Sequence, residues 1–336
     1  MMACEYLDCT IRDGGYNNNW EFDDKYVIDL YNTISKIGYN YVELGFRNTL
    51  QCEGKGKYYN VTDDILNNIC NKSKYQSKIA IMVTIDRFSV DDFTDKKDSK
   101  VDLIRVLAHR ENGSYDIDTL FKVSNELLDK GYEIAVNIAN ANHILDSEID
   151  YIIQKYDEST KKIKCVYFAD SFGCFTPNII SRLKQKFKHV PLGFHGHNNI
   201  YMDLQNTLHA IDTGYHIVDS TLDGYGKNSG NTRTEILMYY KNKNFHSMEH
   251  IFALMNSYKS NYSINIIYRL LYFITGHNDI HTDYVNNIIE RFGSDDYLLL
   301  FKKLMVFINH IEHDKTKNDS SSDRNLINKL IQDNIL

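Results

Sequence analysis

Eight short runs rich in β-branched and aromatic residues alternate with amphipathic segments between Glu5 and Thr221. The runs are Glu5 to Thr10, Tyr41 to Gly45, Ile79 to Thr84, Val101 to Val106, Glu133 to Ile138, Lys164 to Ala169, Pro191 to His195 and Ile217 to Thr221. Helical patterns lie between them, such as "DDKYVIDLYNTISKIG", closed by Gly38, and "YDIDTLFKVSNELLDKG", closed by Gly131. Parallel strands need crossover helices, and eight such units in series close on themselves. The pattern therefore predicts an α/β fold, a TIM (β/α)8 barrel. A doubly wound open sheet is the alternative. It would carry a phosphate-binding turn after the first strand, and "CTIRDGGYNNN" lacks the GxGxxG spacing.

The expected barrel domain runs over residues 1–243. Apolar periodicity in "MEHIFALMNSY", "NIIYRLLYFITG" and "YLLLFKKLMVFINHI" predicts a helical C-terminal subdomain over 244–313. Polar "HDKTKNDSSSDR" then reads as a flexible linker to a last amphipathic segment, so 314–336 is set apart. The tail helices carry Tyr268, Tyr272, His277 and His281. Packing against the barrel, with a face for self-association into a dimer, is one reading of that stripe; a side chain reaching the barrel mouth to transfer protons is the other.

Composition excludes several classes. With 43% hydrophobic residues in 336, the chain can bury a full core. No apolar stretch reaches the length of a membrane helix and no leader pattern opens the sequence, so no membrane partner and a cytoplasmic location are expected. The net charge of −7 with scattered lysines gives no basic stripe, so no nucleic-acid partner is expected. The six cysteines show no CxxC pairing, which argues against a thiolate zinc site or a disulfide framework. Small-molecule chemistry is the remaining expectation.

"GFHGHNN", Gly193 to Asn199, falls at the end of the seventh strand. Barrel chemistry sits at that end of the strands, and residues two apart in an extended segment point the same way. His195 and His197 can therefore share one metal ion or serve as hydrogen-bonded loop residues. Other polar residues converge on the same rim: Arg12 and Asp13 after the first strand, Glu43 on the second, Asp86 and Arg87 after the third, Arg105 in the fourth. Asn137 ends the fifth, Asp170 and Ser171 follow the sixth, and "DGYGKNSGN" follows the eighth. Singly, each has a structural reading as a helix cap or an interior hydrogen-bonding group. Together they predict a site.

"LDCTIRDGG", "YVELGF", "ADSFGCFTP", "GFHGHNN" and "DGYGKNSGNTRTE", in that order, resemble the DRE-TIM metallolyases. That superfamily includes HMG-CoA lyase, isopropylmalate and homocitrate synthases and 4-hydroxy-2-oxovalerate aldolase, and the likeness is greatest to the aldolase branch. The resemblance implies that Asp13, His195 and His197 hold a divalent metal (Mg, Mn, Co or Zn), with Asn231 a ligand or its neighbour. It implies that Arg12 steadies an enolate and that Glu43 is an acidic residue at the rim of the site. Arg105, Asn137, Asp170, Ser171 and Lys227 complete the expected substrate contacts. An Asp with two neutral His leaves positions open on the ion for the carboxylate and ketone oxygens of a 2-oxo acid.

One feature departs from the aldolase pattern. The aldolases place a histidine base soon after "RDG", and this chain reads "RDGGYNNN" there. Tyr16 is a candidate substitute if the cation and Arg12 lower its pKa; otherwise it is an aromatic cover. Lys227 reads as a carboxylate or phosphate clamp or as a solvated loop charge. The expected function is a metal-dependent aldolase or lyase acting on a 2-oxo acid and an aldehyde. A Claisen-type acyl transferase using acetyl-CoA and a non-catalytic scaffold are the alternatives.

Overall fold

The structure is a computed structural model, and it describes residues 3–50, 52–111, 113–159, 161–227, 229–242, 245–258, 271, 288–291 and 296–313. Tyr268, Tyr272, His277, His281 and the 314–336 segment lie outside the described residues. The chain divides into two compact units, Met1–Thr234 and Glu235–Leu336.

The first unit is a closed parallel barrel. Its strands are β1 (Glu5–Asp8), β2 (Tyr41–Phe46), β3 (Lys78–Thr84), β4 (Val101–Ala108), β5 (Glu133–Ile138), β6 (Cys165–Ala169), β7 (Leu192–His195) and β8 (Ile217–Ser220). Each pairs with its sequence neighbours, and β1 closes the circle by pairing with β8 in register from Glu5 and Ile217 to Asp8 and Ser220. The crossovers carry helices α1 (Thr10–Asn18), α2 (Asp24–Lys36), α3 (Asp63–Lys72), α4 (Ile117–Asp129), α5 (Asp146–Glu158), α6 (Pro177–Lys186) and α7 (Asp203–Asp212). Asp23 caps α2 by accepting from the Tyr26 N–H, and Gly38 turns the chain at φ +92° just past its end.

Side chains alternate along each strand, so the interior fills in layers. Leu7, Cys9, Tyr41, Ala80, Leu103, Ala135, Cys165, Tyr167 and Ile217 form one apolar cluster. Further along several strands stand Glu43, Arg105, Asn137, His195 and Asp219, all buried. This second layer is polar and is the floor of the mouth.

The first strand is shorter than its β-branched run predicts. Thr10 begins α1, because the Asp13 N–H donates to the Cys9 carbonyl at 2.9 Å and starts a helical turn. Gly15 is obligatory in that helix, since a Cβ there would lie 2.0 Å from the Trp20 ring. Trp20 Nε1 in turn donates to the Arg12 carbonyl at 2.9 Å, which fixes the helix carrying Arg12 and Asp13. After β4 the chain forms a two-stranded hairpin, Arg110–Glu111 against Ser114–Tyr115, before α4.

The second unit opens within α8 (Thr234–Asn242) and contains α9 (Phe245–Ser257) and α10 (Tyr297–His313). Phe252 stacks on Phe301 at 4.3 Å, and Lys302 pairs with Glu249 at 2.8 Å. Met248, Ile251, Met255, Leu300 and Leu304 are buried, as helical apolar periodicity predicts. No helix among the described residues is long and apolar enough to cross a membrane.

Candidate active site

Asp13, His195 and His197 each offer one donor atom to a buried group whose atoms lie within 4.8 Å of one another. Asp13 comes from the first turn of α1, His195 ends β7, and His197 follows two residues on and bridges to Asn231. The Asn231 amide donates to Asp13 Oδ2 at 2.6 Å, and the Lys227 backbone N–H donates to the same oxygen at 3.0 Å. The approach needs a glycine at position 226, where a Cβ would meet Asp13 Oδ2 at 2.2 Å.

Both imidazoles are oriented by their other nitrogen. His195 Nδ1 meets Asp219 Oδ2 at 2.9 Å, and His197 Nδ1 meets the Gly230 carbonyl at 3.2 Å. Each ring thereby donates outward and keeps Nε2 as a lone-pair donor toward the cluster. Burial pushes the His197 imidazole down to about 4 against the pull of Asp13, so it is neutral. Burial works against the Asp13 carboxylate too, but Arg12 and the two imidazoles hold it well below its ordinary range.

Beneath the donors runs a closed circuit of charge. Arg12 Nη1 pairs with Asp13 at 2.5 Å and Arg12 Nε with Glu43 Oε2 at 2.7 Å. Arg105 Nη1 reaches the same Glu43 oxygen at 3.0 Å, and its Nη2 lies 2.8 Å from Asp219 Oδ2. His195 closes the ring, with Nε2 3.9 Å from Asp13 Oδ1. Tyr167 supports it twice, donating its hydroxyl to Asp219 Oδ1 at 2.7 Å and placing its ring 4.0 Å from the Arg105 guanidinium carbon. Asp219 stays charged: burial opposes it, and Arg105 and the His195 contact outweigh burial. Six atoms of this group are buried without a hydrogen-bond partner: Arg12 Nη2, Glu43 Oε1, Arg105 Nε and Nη2, His195 Nε2 and Asn231 Oδ1. Such atoms carry a desolvation cost that a ligand relieves.

Several sequence expectations are corrected here. Glu43 is not at the rim; it is fully buried between the two guanidinium groups. Arg105 is 0% exposed and ion-paired with both Glu43 and Asp219, which places it beneath the donor cluster. Asp170 accepts from the Cys174 and Phe175 N–H groups at 2.8 and 3.0 Å, and its carboxyl, pushed by burial up to about 6, serves the turn after β6. Ser171 Oγ accepts from the Asn140 N–H at 2.9 Å and ties that turn to the loop after β5.

The condition set on Tyr16 is not met by the protein alone. Although its side chain is 41% exposed, desolvation outweighs Arg12 and pushes the phenol up to about 12. Its ring packs edge-on against Trp20 at 4.8 Å. Lys227 touches the site through its backbone, while its Nζ lies 5.1 Å from the Tyr16 ring centre. Asn137 stays open to a ligand, with Oδ1 buried and unpaired. Asp219 is the residue the sequence reading missed. Its one signal is an acid at inward-facing parity in the buried run "IVDST".

The HMGL-like family matches residues 3–248. An oxaloacetate decarboxylase from Mycobacterium tuberculosis is 24% identical over 243 residues, spanning 69% of this chain and 68% of that protein. A 4-hydroxy-2-oxovalerate aldolase from Geobacillus genomosp. 3 is 25% identical over 240 residues, spanning 70% and 69%. Among solved structures, the N-terminal domain of a candidate aldolase from Bacteroides vulgatus is 27% identical with a TM-score of 0.66, covering 85% of this chain and 96% of its own. HMG-CoA lyase from Bacillus subtilis shares the fold at 14% identity and a TM-score of 0.61, covering 77% and 93%. Because the family match runs from β1 into α9 and takes in every residue of the charge circuit and the donor cluster, this chain belongs to the HMGL-like family, metal-dependent lyases of the DRE-TIM superfamily.

Proposed function

We propose that this protein cleaves or forms the C3–C4 bond of a 4-hydroxy-2-oxo acid, releasing or consuming a pyruvate-type 2-oxo acid and an aldehyde. The observation that carries the reading is the Asp13, His195 and His197 cluster beside an Arg12 whose Nη2 is buried and unpaired. A divalent metal is the cofactor of this family. The residues present fit one: His195 Nε2 and Asn231 Oδ1 are orphaned, and one carboxylate with two neutral imidazoles suits Mg, Mn, Co or Zn. Asp13, His195 and His197 would hold the ion, with Asn231 beside Asp13. When bound, it supplies Lewis-acid polarisation of the substrate's 2-oxo group.

The chain supplies the rest. As the C3–C4 bond breaks, its electron pair moves into C2–C3 and negative charge grows on the C2 oxygen. Arg12 has spent Nε on Glu43 and Nη1 on Asp13, so Nη2 is the donor left for that oxygen. Glu43 and Arg105 hold the guanidinium in place before the charge appears, which avoids reorganisation during the step. The Asn137 amide, on the same interior layer, orients the substrate.

The substrates named for the two relatives, oxaloacetate and 4-hydroxy-2-oxovalerate, are both 2-oxo acids that yield the same enolate on losing C4. A second reading, decarboxylation of oxaloacetate, is favoured by the Tyr16 phenol at about 12, since loss of carbon dioxide needs no base on a hydroxyl. The test strips and reloads the protein with each of Mg, Mn, Co and Zn and measures pyruvate from 4-hydroxy-2-oxo acids and from oxaloacetate. Metal-dependent release from the hydroxy acids is expected. No release from any of them, with any metal, overturns the aldolase reading.

A further inference from the structure

Aldol cleavage needs a group to take the C4 hydroxyl proton, and the residues already placed are committed. Asp13, His195 and His197 face one another, and Tyr16 holds its proton. Among the described residues, one further imidazole stands at the mouth. His109 directly follows β4, is half-buried, and among the described residues its ring makes no hydrogen bond, ion pair or ring contact. It lines a cavity of about 290 Å³ with Ile85, Asp86, Glu111, Asp116 and Thr119. Ile85 and Asp86 follow β3 and Glu111 lies in the hairpin after β4, so the cavity sits at the catalytic face of the barrel.

The charges of Arg87 and Lys227 both act on His109, as do those of Asp86 and Glu111. Lys227, one of those charges, is also the residue whose N–H holds Asp13 and whose Nζ lies over Tyr16. Burial, then Arg87, hold the His109 imidazole below its ordinary range, with Asp86 and Glu111 opposing. It is neutral at neutral pH and able to accept a proton.

The lining also selects the occupant. Carboxylates accept hydrogen bonds from hydroxyl groups and repel a second carboxylate or a phosphate. Asp116 has already given one oxygen to the Thr119 N–H, and Asp86 is only loosely paired with Arg87 at 3.6 Å, which leaves Asp86 and Glu111 as acceptors.

We propose that this cavity receives the aldehyde-derived half of a 4-hydroxy-2-oxo acid bearing further hydroxyl groups, and that His109 takes the proton from its C4 hydroxyl. The proposal rests on the aldolase reading above. The step balances without a co-reactant. The O–H proton passes to the imidazole, C4 becomes the aldehyde carbonyl, the C3–C4 pair becomes the enolate, and the same proton returns to C3 to give the 2-oxo acid.

The test uses the full chain loaded with Mn, a 2-oxo-3-deoxy sugar acid, 4-hydroxy-2-oxovalerate and oxaloacetate. His109→Ala is expected to retain metal and to lose about 10² or more in aldol cleavage, the scale of general base catalysis, with added imidazole restoring part of it. Oxaloacetate decarboxylation, which moves no hydroxyl proton, is expected to fall much less. Equal loss of both activities without imidazole rescue, or retained cleavage, overturns the role of His109. Asp86→Asn with Glu111→Gln is expected to raise KM for the sugar acid about tenfold, a difference of ~1.4 kcal/mol, and to spare 4-hydroxy-2-oxovalerate. An equal change for both substrates overturns the subsite. Wild-type protein that decarboxylates oxaloacetate and cleaves neither hydroxy acid overturns the aldolase reading itself, and this proposal with it.

Discussion

Arg105 Nη2 lies 2.8 Å from Asp219 Oδ2, the same carboxylate oxygen that His195 Nδ1 meets at 2.9 Å. A single oxygen thus joins the anchor under the barrel mouth to the imidazole above it. A carboxylate at Nδ1 favours the proton there, and under the proposed ligation it leaves the Nε2 lone pair for the metal. Asp219→Asn is expected to weaken metal binding about 10- to 100-fold, the usual effect of losing such a support. Titration calorimetry of the stripped protein checks this; an unaltered dissociation constant would show that the contact is packing alone.

Arg105 compensates two buried anions at once. Arg105→Met leaves Glu43 and Asp219 without that cation and is expected to cost about 3–5 kcal/mol of unfolding free energy. Urea unfolding of the metal-free protein reads it directly. A loss within ordinary surface-substitution scatter would mean that the circuit is not what holds these charges.

Arg12→Lys keeps a positive charge and removes the fork that contacts Glu43 and Asp13 together while leaving Nη2 free. Turnover is expected to fall about 10², as when one oxyanion donor is removed, with bound metal unchanged. Steady-state kinetics together with metal analysis separates the two effects. Lost metal with intact turnover per bound ion would move Arg12 from catalysis to Asp13 positioning.

Asp8 titrates out of its usual range. It is fully buried; among the described residues it has no cation beside it and accepts only from Thr10 and Thr234, and burial pushes its carboxyl up to about 7. A folded pKa raised above the unfolded one gives stability that is full below about pH 4 and lost as pH rises through about 7. Asp8→Asn removes that dependence. The variant is expected to melt higher than wild type at about pH 8 and to differ least at about pH 4. Melting curves that run parallel across this window would refute the assignment.

The barrel was legible because strands buried on both faces read as continuous apolar runs, and all eight lie within about two residues of their expected limits. The miss at Thr10 has a local cause. A helix holding Gly14 and Gly15 has poor intrinsic propensity, and what demands Gly15 is the Trp20 ring, a contact invisible in the linear sequence. That His195 and His197 face the same way was legible from their spacing of two at a strand end, whereas Asp13, far from them in sequence, was pointed to by the family resemblance alone. The roles of Arg105 and Asp219 were not. They arise from the barrel's register, which brings β2, β4 and β8 to one level, and no spacing along the chain records it. Lys227 shows a different limit, since its contribution to Asp13 comes from a backbone N–H that any residue but proline would supply.

The Asp13 to Asn231 hydrogen bond spans 218 positions of sequence across the β1 and β8 junction. During synthesis Asp13 leaves the ribosome long before either histidine, so the ion cannot template the early part of the chain. An ion held by these three residues would act as a clasp on a cylinder already rolled. Under the proposed ligation, opening that junction also means releasing the ion, and each tenfold rise in free metal above the dissociation constant would add about 1.4 kcal/mol against it. The resistance of the closed barrel to unzipping along this line is thereby set by the metal supply of its surroundings as well as by the chain.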